Sequence, residues 1–151
     1  VEWPFLRKAL ARMGFSKRWI SFVEACVEHF TFLVLVNGSP TDFFPSSRGL
    51  RQSESLSPSL FVLAADYFSR CLDGFIYDYP RMTYSTRVYG PPISHLSYAD
   101  DIIIFTRADD DGLIELMHLL EHYSSVTGQL ISVQKSTFTL SSSSADRWAQ
   151  R

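Results

Sequence analysis

Residues 93–105 read Ile-Ser-His-Leu-Ser-Tyr-Ala-Asp-Asp-Ile-Ile-Ile-Phe, and this stretch constrains the fold more than any other in the chain. Apolar residues stand on both sides of Ala99-Asp100-Asp101, with Leu96 before it and Ile102 to Phe105 after it. The pattern predicts two strands that meet at a tight acidic turn. Aspartate is a good turn residue in its own right. Two adjacent carboxylates also repel each other unless a cation neutralises them. The residues alone leave both readings open.

The flanking segments predict an alternation of helices and short strands. Pro4 suits a first helical turn, Phe5, Leu6, Leu10 and Met13 share a face, and Gly14 can end the helix. Ser16 is placed to cap a second helix, in which Trp19, Ile20, Val23, Cys26, Val27 and Phe30 recur at helical spacing. Thr31 to Val36, Asn37-Gly38 and Thr41 to Phe44 predict a strand, a tight turn and a returning strand. A loop over residues 45–57 leads to Pro58, which opens a long apolar helix that Gly74 is expected to close. Residues 76–90 read as irregular. Asp109 to Asp111 cap and charge the start of a helix that carries Leu113, Leu116, Met117, Leu120 and Tyr123 and ends at Gly128. Leu130 to Val133 and Thr137 to Leu140 are strand candidates, and Ser141 to Ser144 a loop. The fold class expected is α+β, with helices on one face of an antiparallel sheet, as a single domain over residues 1–151.

Charge is unevenly placed. Residues 1–52 hold seven Lys/Arg against four Asp/Glu, a balance of +3, and residues 53–151 hold seven against twelve, a balance of −5. The sum of −2 does not mark the chain as a nucleic-acid binder by charge alone. An acidic half that contains an Asp pair suits a cation site, although charge alone favours a solvated acidic face. Cys26 and Cys71 both sit in apolar helical patterns. Buried free thiols are therefore expected, and with them a reducing intracellular compartment, nuclear or cytoplasmic. The longest apolar run, Phe30 to Val36, is too short to span a membrane, so no membrane partner is expected. His118 and His122 share a helix face at a spacing that can bind metal, but nothing nearby supplies a third ligand. These and His95 are expected to be surface or interface residues. A first residue Val1 in place of Met suggests a piece of a longer reading frame.

Four segments in order carry a resemblance. Tyr98-Ala99-Asp100-Asp101 resembles the YADD/FADD box of reverse transcriptases. Arg48-Gly-Leu-Arg-Gln52, followed by Leu56-Ser-Pro58 and Leu60-Phe61, is similar to the GLRQGDPLSPxLF motif of LINE-type, non-LTR retrotransposon enzymes. Thr127-Gly128-Gln-Leu-Ile-Ser-Val-Gln-Lys-Ser136 resembles their SGLxINxxKS segment. Val1-Glu-Trp3, Met13-Gly-Phe15 and Trp19-Ile20 resemble the stretch that follows their first aspartate motif. The resemblance covers nearly the whole chain and implies a polymerase palm, truncated at its N-terminus, in an RNA-directed DNA polymerase. It implies two Mg²⁺ ions in the intact enzyme, with an RNA template, a DNA primer and dNTPs as partners. Such ions activate a 3′-hydroxyl and stabilise departing pyrophosphate. By this resemblance Asp100 bridges the catalytic ions and Asp101 is the outer carboxylate. Tyr98 lies near the primer terminus. Gly49, Arg51 and Gln52 lie beside the incoming nucleotide and templating base, and Lys135 near the nucleotide phosphates.

Two departures follow from the same comparison. The family's first catalytic aspartate would lie before Val1, and its fingers and thumb lie outside the chain. Ser53-Glu54-Ser55 stands where the family has Gly-Asp-Pro, which removes a glycine permissive for positive φ and a rigid proline. Both departures lead to an alternative expectation: a degenerate remnant without catalysis, with at most weak nucleic-acid or protein binding. A missing central strand beside the Asp-Asp hairpin would also leave apolar edges at Leu96 and Ile103 open to mispairing.

Overall fold

A computed structural model describes residues 1–28, 30–52, 54–86 and 90–140. The fold is α+β, with four helices, α1 (Trp3–Arg12), α2 (Lys17–Val27), α3 (Ser57–Asp78) and α4 (Asp110–Thr127), among the described residues. The strands form three separate two-stranded antiparallel sheets. They are β1 (Thr31–Phe32) with β4 (Phe44–Pro45), β2 (Leu35–Val36) with β3 (Ser39–Pro40), and β5 (His95–Tyr98) with β6 (Asp101–Ile104). The chain divides into two compact units. One is Val1–Tyr67 with Ser125–Gln129, and the other is Phe68–Ser124 with the chain from Leu130 on.

The core of the first unit follows from helical spacing. Leu6 and Leu10 of α1 meet Ile20, Val23 and Val27 of α2 and Leu60 of α3, all buried. Pro4 occupies the first turn of α1, where its missing N–H costs nothing. The Ser16 hydroxyl accepts from the Trp19 N–H at 3.2 Å, so the expected cap of α2 is present. At the far end of α1, Phe15 N–H reaches the Leu10 carbonyl and Gly14 N–H the Ala11 carbonyl, the paired closure of a Schellman motif. Outside the core, Arg7 bridges the two helices by pairing with both Glu24 and Glu28. The hydrogen-bonded Glu24, in direct contact, raises the Arg7 pKa above its ordinary value.

The Asn37-Gly38 turn forms as expected, with φ of 52° and 83°. Positive φ at both positions is the primed turn that matches strand twist. The returning strand starts earlier than Thr41, at Ser39, and the ladder is interrupted before it resumes at Phe44. In the gap the Thr41 hydroxyl accepts from the Val34 N–H, so a side chain replaces a ladder bond.

In the second unit Phe68, Leu72 and Phe75 of α3 are buried, together with Met82, and Leu116 and Tyr123 of α4. The Phe68 and Tyr123 rings lie 4.5 Å apart. Gly74 does not close α3, contrary to expectation. The helix runs to Asp78 because Phe75, the residue after the glycine, is buried and its ring stacks on Tyr79. Pro80 then supplies the stop. The Asp109 carboxylate accepts from the Gly112 N–H at 3.0 Å and so caps α4 as expected. Gly128 follows the helix with a φ of +70°.

Leu130–Val133 and Thr137–Leu140 are not strands. Residues Val133–Lys135 form a 3-10 turn instead. The Ser132 carbonyl collects the N–H groups of Lys135 and Ser136 and the Ser136 hydroxyl. Local bonds of this kind compete with strand pairing. The loop expected at Ser141 to Ser144 lies outside the described residues.

Leu96 and Ile103 face each other across the β5–β6 hairpin and are 59% and 58% exposed. Neither strand has another partner among the described residues. An open apolar edge is a template for pairing with other chains. Ile103→Lys should therefore raise the concentration at which the protein begins to scatter light, without lowering its melting temperature. Unchanged scattering would place the sticky surface elsewhere.

Candidate functional site

Tyr98, Ala99, Asp100 and Asp101 form a two-residue hairpin. Tyr98 pairs with Asp101, so Ala99 and Asp100 make the turn. Ala99 has a φ of +52°, a region that disfavours L side chains. Such strain persists only where the surrounding structure imposes it, and it concentrates at functional sites. Asp100 and Asp101 are exposed, and neither forms an ion pair among the described residues. Tyr98 beside them is 86% exposed.

The chain's other acidic run behaves differently. Asp109 caps α4 and pairs with Arg81 at 3.2 Å, and Asp111 lies 3.8 Å from the same guanidinium. Its charge serves structure, whereas the charge at residues 100–101 faces solvent and meets no cationic side chain in an ion pair among the described residues. Two open carboxylates fit a Mg²⁺ that keeps water and phosphate oxygens as its other ligands. A centre ligated wholly by protein does not fit, because the described residues gather no group of three His, Cys, Asp or Glu side chains.

Lys135 also lies in the second unit, exposed at the end of the 3-10 turn. It forms no ion pair among the described residues. Gly49, Arg51 and Gln52 lie in the first unit. Gly49 has a φ of +93°. Its N–H donates to the Val1 carbonyl at 2.9 Å and its carbonyl accepts from the Trp3 indole at 2.8 Å. The Arg51 guanidinium sits 4.8 Å from the centre of the Phe30 ring, a cation–π contact that aims it away from a purely solvated pose. Gln52 is exposed. A Cβ at Gly49 would meet no atom within 4 Å, so the cost of Gly49→Ala is backbone strain alone. It should lower stability by about 1 to 2 kcal/mol in urea denaturation. A neutral result would mean that the loop relaxes freely.

In the departure at residues 53–55, Ser53 lies outside the described residues. One Glu54 carboxylate oxygen is sealed from solvent with no hydrogen-bond partner among the described residues. The same holds for the hydroxyl of Ser57, which begins α3. Neither cysteine forms a disulfide among the described residues, as expected, and both are partly rather than fully buried. His118 is exposed, 3.6 Å from Glu115.

One cluster was not legible from the residues. His95 is partly buried and bonded on both ring nitrogens, not a loose surface residue. Its Nε2 lies 2.9 Å from the Ser69 hydroxyl and its Nδ1 2.8 Å from the Ser94 hydroxyl. The Ser94 hydroxyl in turn donates to the Asp73 carboxylate at 2.7 Å. The available signal was Ser69 and Asp73 four residues apart on one helix, but nothing in the sequence says that residues 94–95 meet that face.

A family model described as reverse transcriptase (RNA-dependent DNA polymerase) matches residues 1–148. An uncharacterized mitochondrial protein of Arabidopsis thaliana is 36% identical over 80 residues. That match covers 48% of this chain and 60% of the relative's length. With the family model spanning all but the last residues, and the Asp pair raised on its hairpin within that span, the chain belongs to the reverse transcriptase family.

Proposed function

We propose that the chain is palm material of a LINE-type RNA-directed DNA polymerase, in which Asp100 and Asp101 hold the divalent cation of nucleotidyl transfer. The observation that carries this reading is the contrast between the two acidic runs. The pair at the strained turn is exposed and forms no ion pair among the described residues, while Asp109 and Asp111 are engaged with Arg81. A bound Mg²⁺ would supply charge neutralisation at the primer 3′-hydroxyl and at the leaving pyrophosphate. Asp100 would be the principal ligand of such an ion and Asp101 the outer one. Tyr98 offers its exposed ring to the primer terminus. Gln52, with the Gly49 backbone and Arg51, orients the incoming dNTP against the RNA template, and Lys135 offers a cation to the phosphates. A second ion in this reading draws on ligands beyond the Asp pair.

A palm that binds nucleic acid or protein weakly without catalysis is the second reading. The donor count favours it, since two carboxylates are fewer than a two-ion centre uses. Primer extension on a primed RNA with Mg²⁺ and dNTPs separates the two. Extension that disappears in Asp101→Ala supports the polymerase reading. Retention of the primed template without any extension supports the second.

A further inference from the structure

We infer that His95 is a positioning residue for the Asp100–Asp101 pair, strapping the base of its hairpin to α3 through Ser69 and, by way of Ser94, Asp73. The inference rests on the reading of that pair as a cation site. An isolated two-stranded hairpin is marginal in water, and β5–β6 buries little of itself. Only His95 and Ile104, the pair at its base, are even partly buried. Whatever fixes the tip must therefore act at the base.

Two sets of contacts do so. On one side the backbone is tied to residues 82–84. Ile93 N–H donates to the Tyr84 carbonyl, Arg107 N–H to the Met82 carbonyl, and Phe105 stacks on Tyr84 at 5.5 Å. On the other side the ties to α3 are the side chains of His95 and Ser94. With a neutral imidazole this relay has one consistent proton arrangement. Ser94 has a single hydroxyl proton, and Asp73 takes it. Ser94 must then accept from His95, which places the imidazole proton on Nδ1. The bare Nε2 accepts from the Ser69 hydroxyl. Each group in the chain thus dictates the state of the next, and both ring nitrogens are satisfied at once.

Leverage makes the strap matter. Asp100 lies five residues beyond His95, a reach of about 16 Å along an extended strand. A rocking of about 10° at the base would displace the carboxylates by about 3 Å, and a misplacement of about 1 Å is already costly to catalytic geometry.

Four single substitutions and one double variant test the inference on the whole chain. Hydrogen exchange of the β5–β6 amides should quicken about tenfold in His95→Leu while the amides of α1 and α2 keep their rates. Ser69→Ala should give the same pattern, and the double variant should be no worse than His95→Leu. Imidazole nitrogen signals should show the Nδ1-protonated ring in the native chain and lose that form in Ser94→Ala. Mn²⁺ titration supplies the second arm: native binding, no binding in Asp101→Asn, and affinity about tenfold weaker in His95→Leu. If the native chain binds no Mn²⁺, the cation reading of the Asp pair fails, and the exchange arm still decides the strap. Unchanged hairpin exchange in His95→Leu, acceleration spread evenly over the chain, or unchanged Mn²⁺ affinity beside normal native binding would overturn the inference.

Discussion

Leu10→Ala should lower the stability of the first unit by about 3 kcal/mol. Leu10 is 1% exposed on α1 and belongs to the cluster formed with Leu6, Ile20, Val23, Val27 and Leu60. Truncation removes three buried carbon atoms and leaves a cavity that rigid neighbours on α1, α2 and α3 cannot all move to fill. Alanine's better helix propensity offsets only a few tenths of a kcal/mol. Against a typical total of about 5 to 15 kcal/mol the loss is large. Urea denaturation followed by the fluorescence of Trp3 and Trp19, which pack against this cluster, reads the effect in this unit. Val62→Ala, at an exposed position of α3, is the control and should stay within about 0.5 kcal/mol. A loss below about 1 kcal/mol at Leu10 would mean that the helices are loosely packed.

Gly112→Ala should destabilise the second unit by about 1 to 3 kcal/mol, although the same change in an ordinary helix interior would be stabilising by about 1 kcal/mol. The sign reverses because of Met82. A Cβ on residue 112 would fall 2.1 Å from the Met82 sulfur and 2.6 Å from its Cγ. Methionine is flexible, but Met82 is wholly buried and has no solvent to swing into. Its backbone carbonyl also accepts from Arg107 N–H and the Thr106 hydroxyl, so moving the residue disturbs the segment that follows β6. Gly112 further donates to the Asp109 cap, and a shifted first turn would lengthen that bond. Thermal melts of Gly112→Ala alone and with Met82→Ala give the check. The second change should recover part of the loss by opening room for the methyl group. A rise in melting temperature for the single variant would contradict the close approach of α4 to Met82.

Where local chemistry decides a feature, the residues were enough to foresee it. Ser16 caps α2, Asn37-Gly38 takes the primed turn, Asp109 caps α4 and the Asp pair rides on a hairpin, each through contacts within a few positions in sequence. Features decided by distant contacts were not foreseen. Gly74 looked like a helix end until burial of Phe75 carried α3 to Asp78. Residues 130–140 are the exception, a local feature that was missed: their composition is that of a strand, yet bonds to the Ser132 carbonyl from three and four positions on fold part of them into a 3-10 turn. The contacts of His95 were not foreseen because Ser69, twenty-six positions earlier, is an arbitrary serine until the fold brings it within 2.9 Å. The family was legible because its motifs are short, local and ordered along the chain.

In the proposed reading the carboxylates at the hairpin turn are the chain's divalent-cation site. Paramagnetic broadening by substoichiometric Mn²⁺ tests it residue by residue. Amide signals of residues 98–102 should broaden first, and Asp100→Asn together with Asp101→Asn should abolish the effect. Broadening that begins at Asp109–Asp111, or that is indifferent to both substitutions, would contradict it.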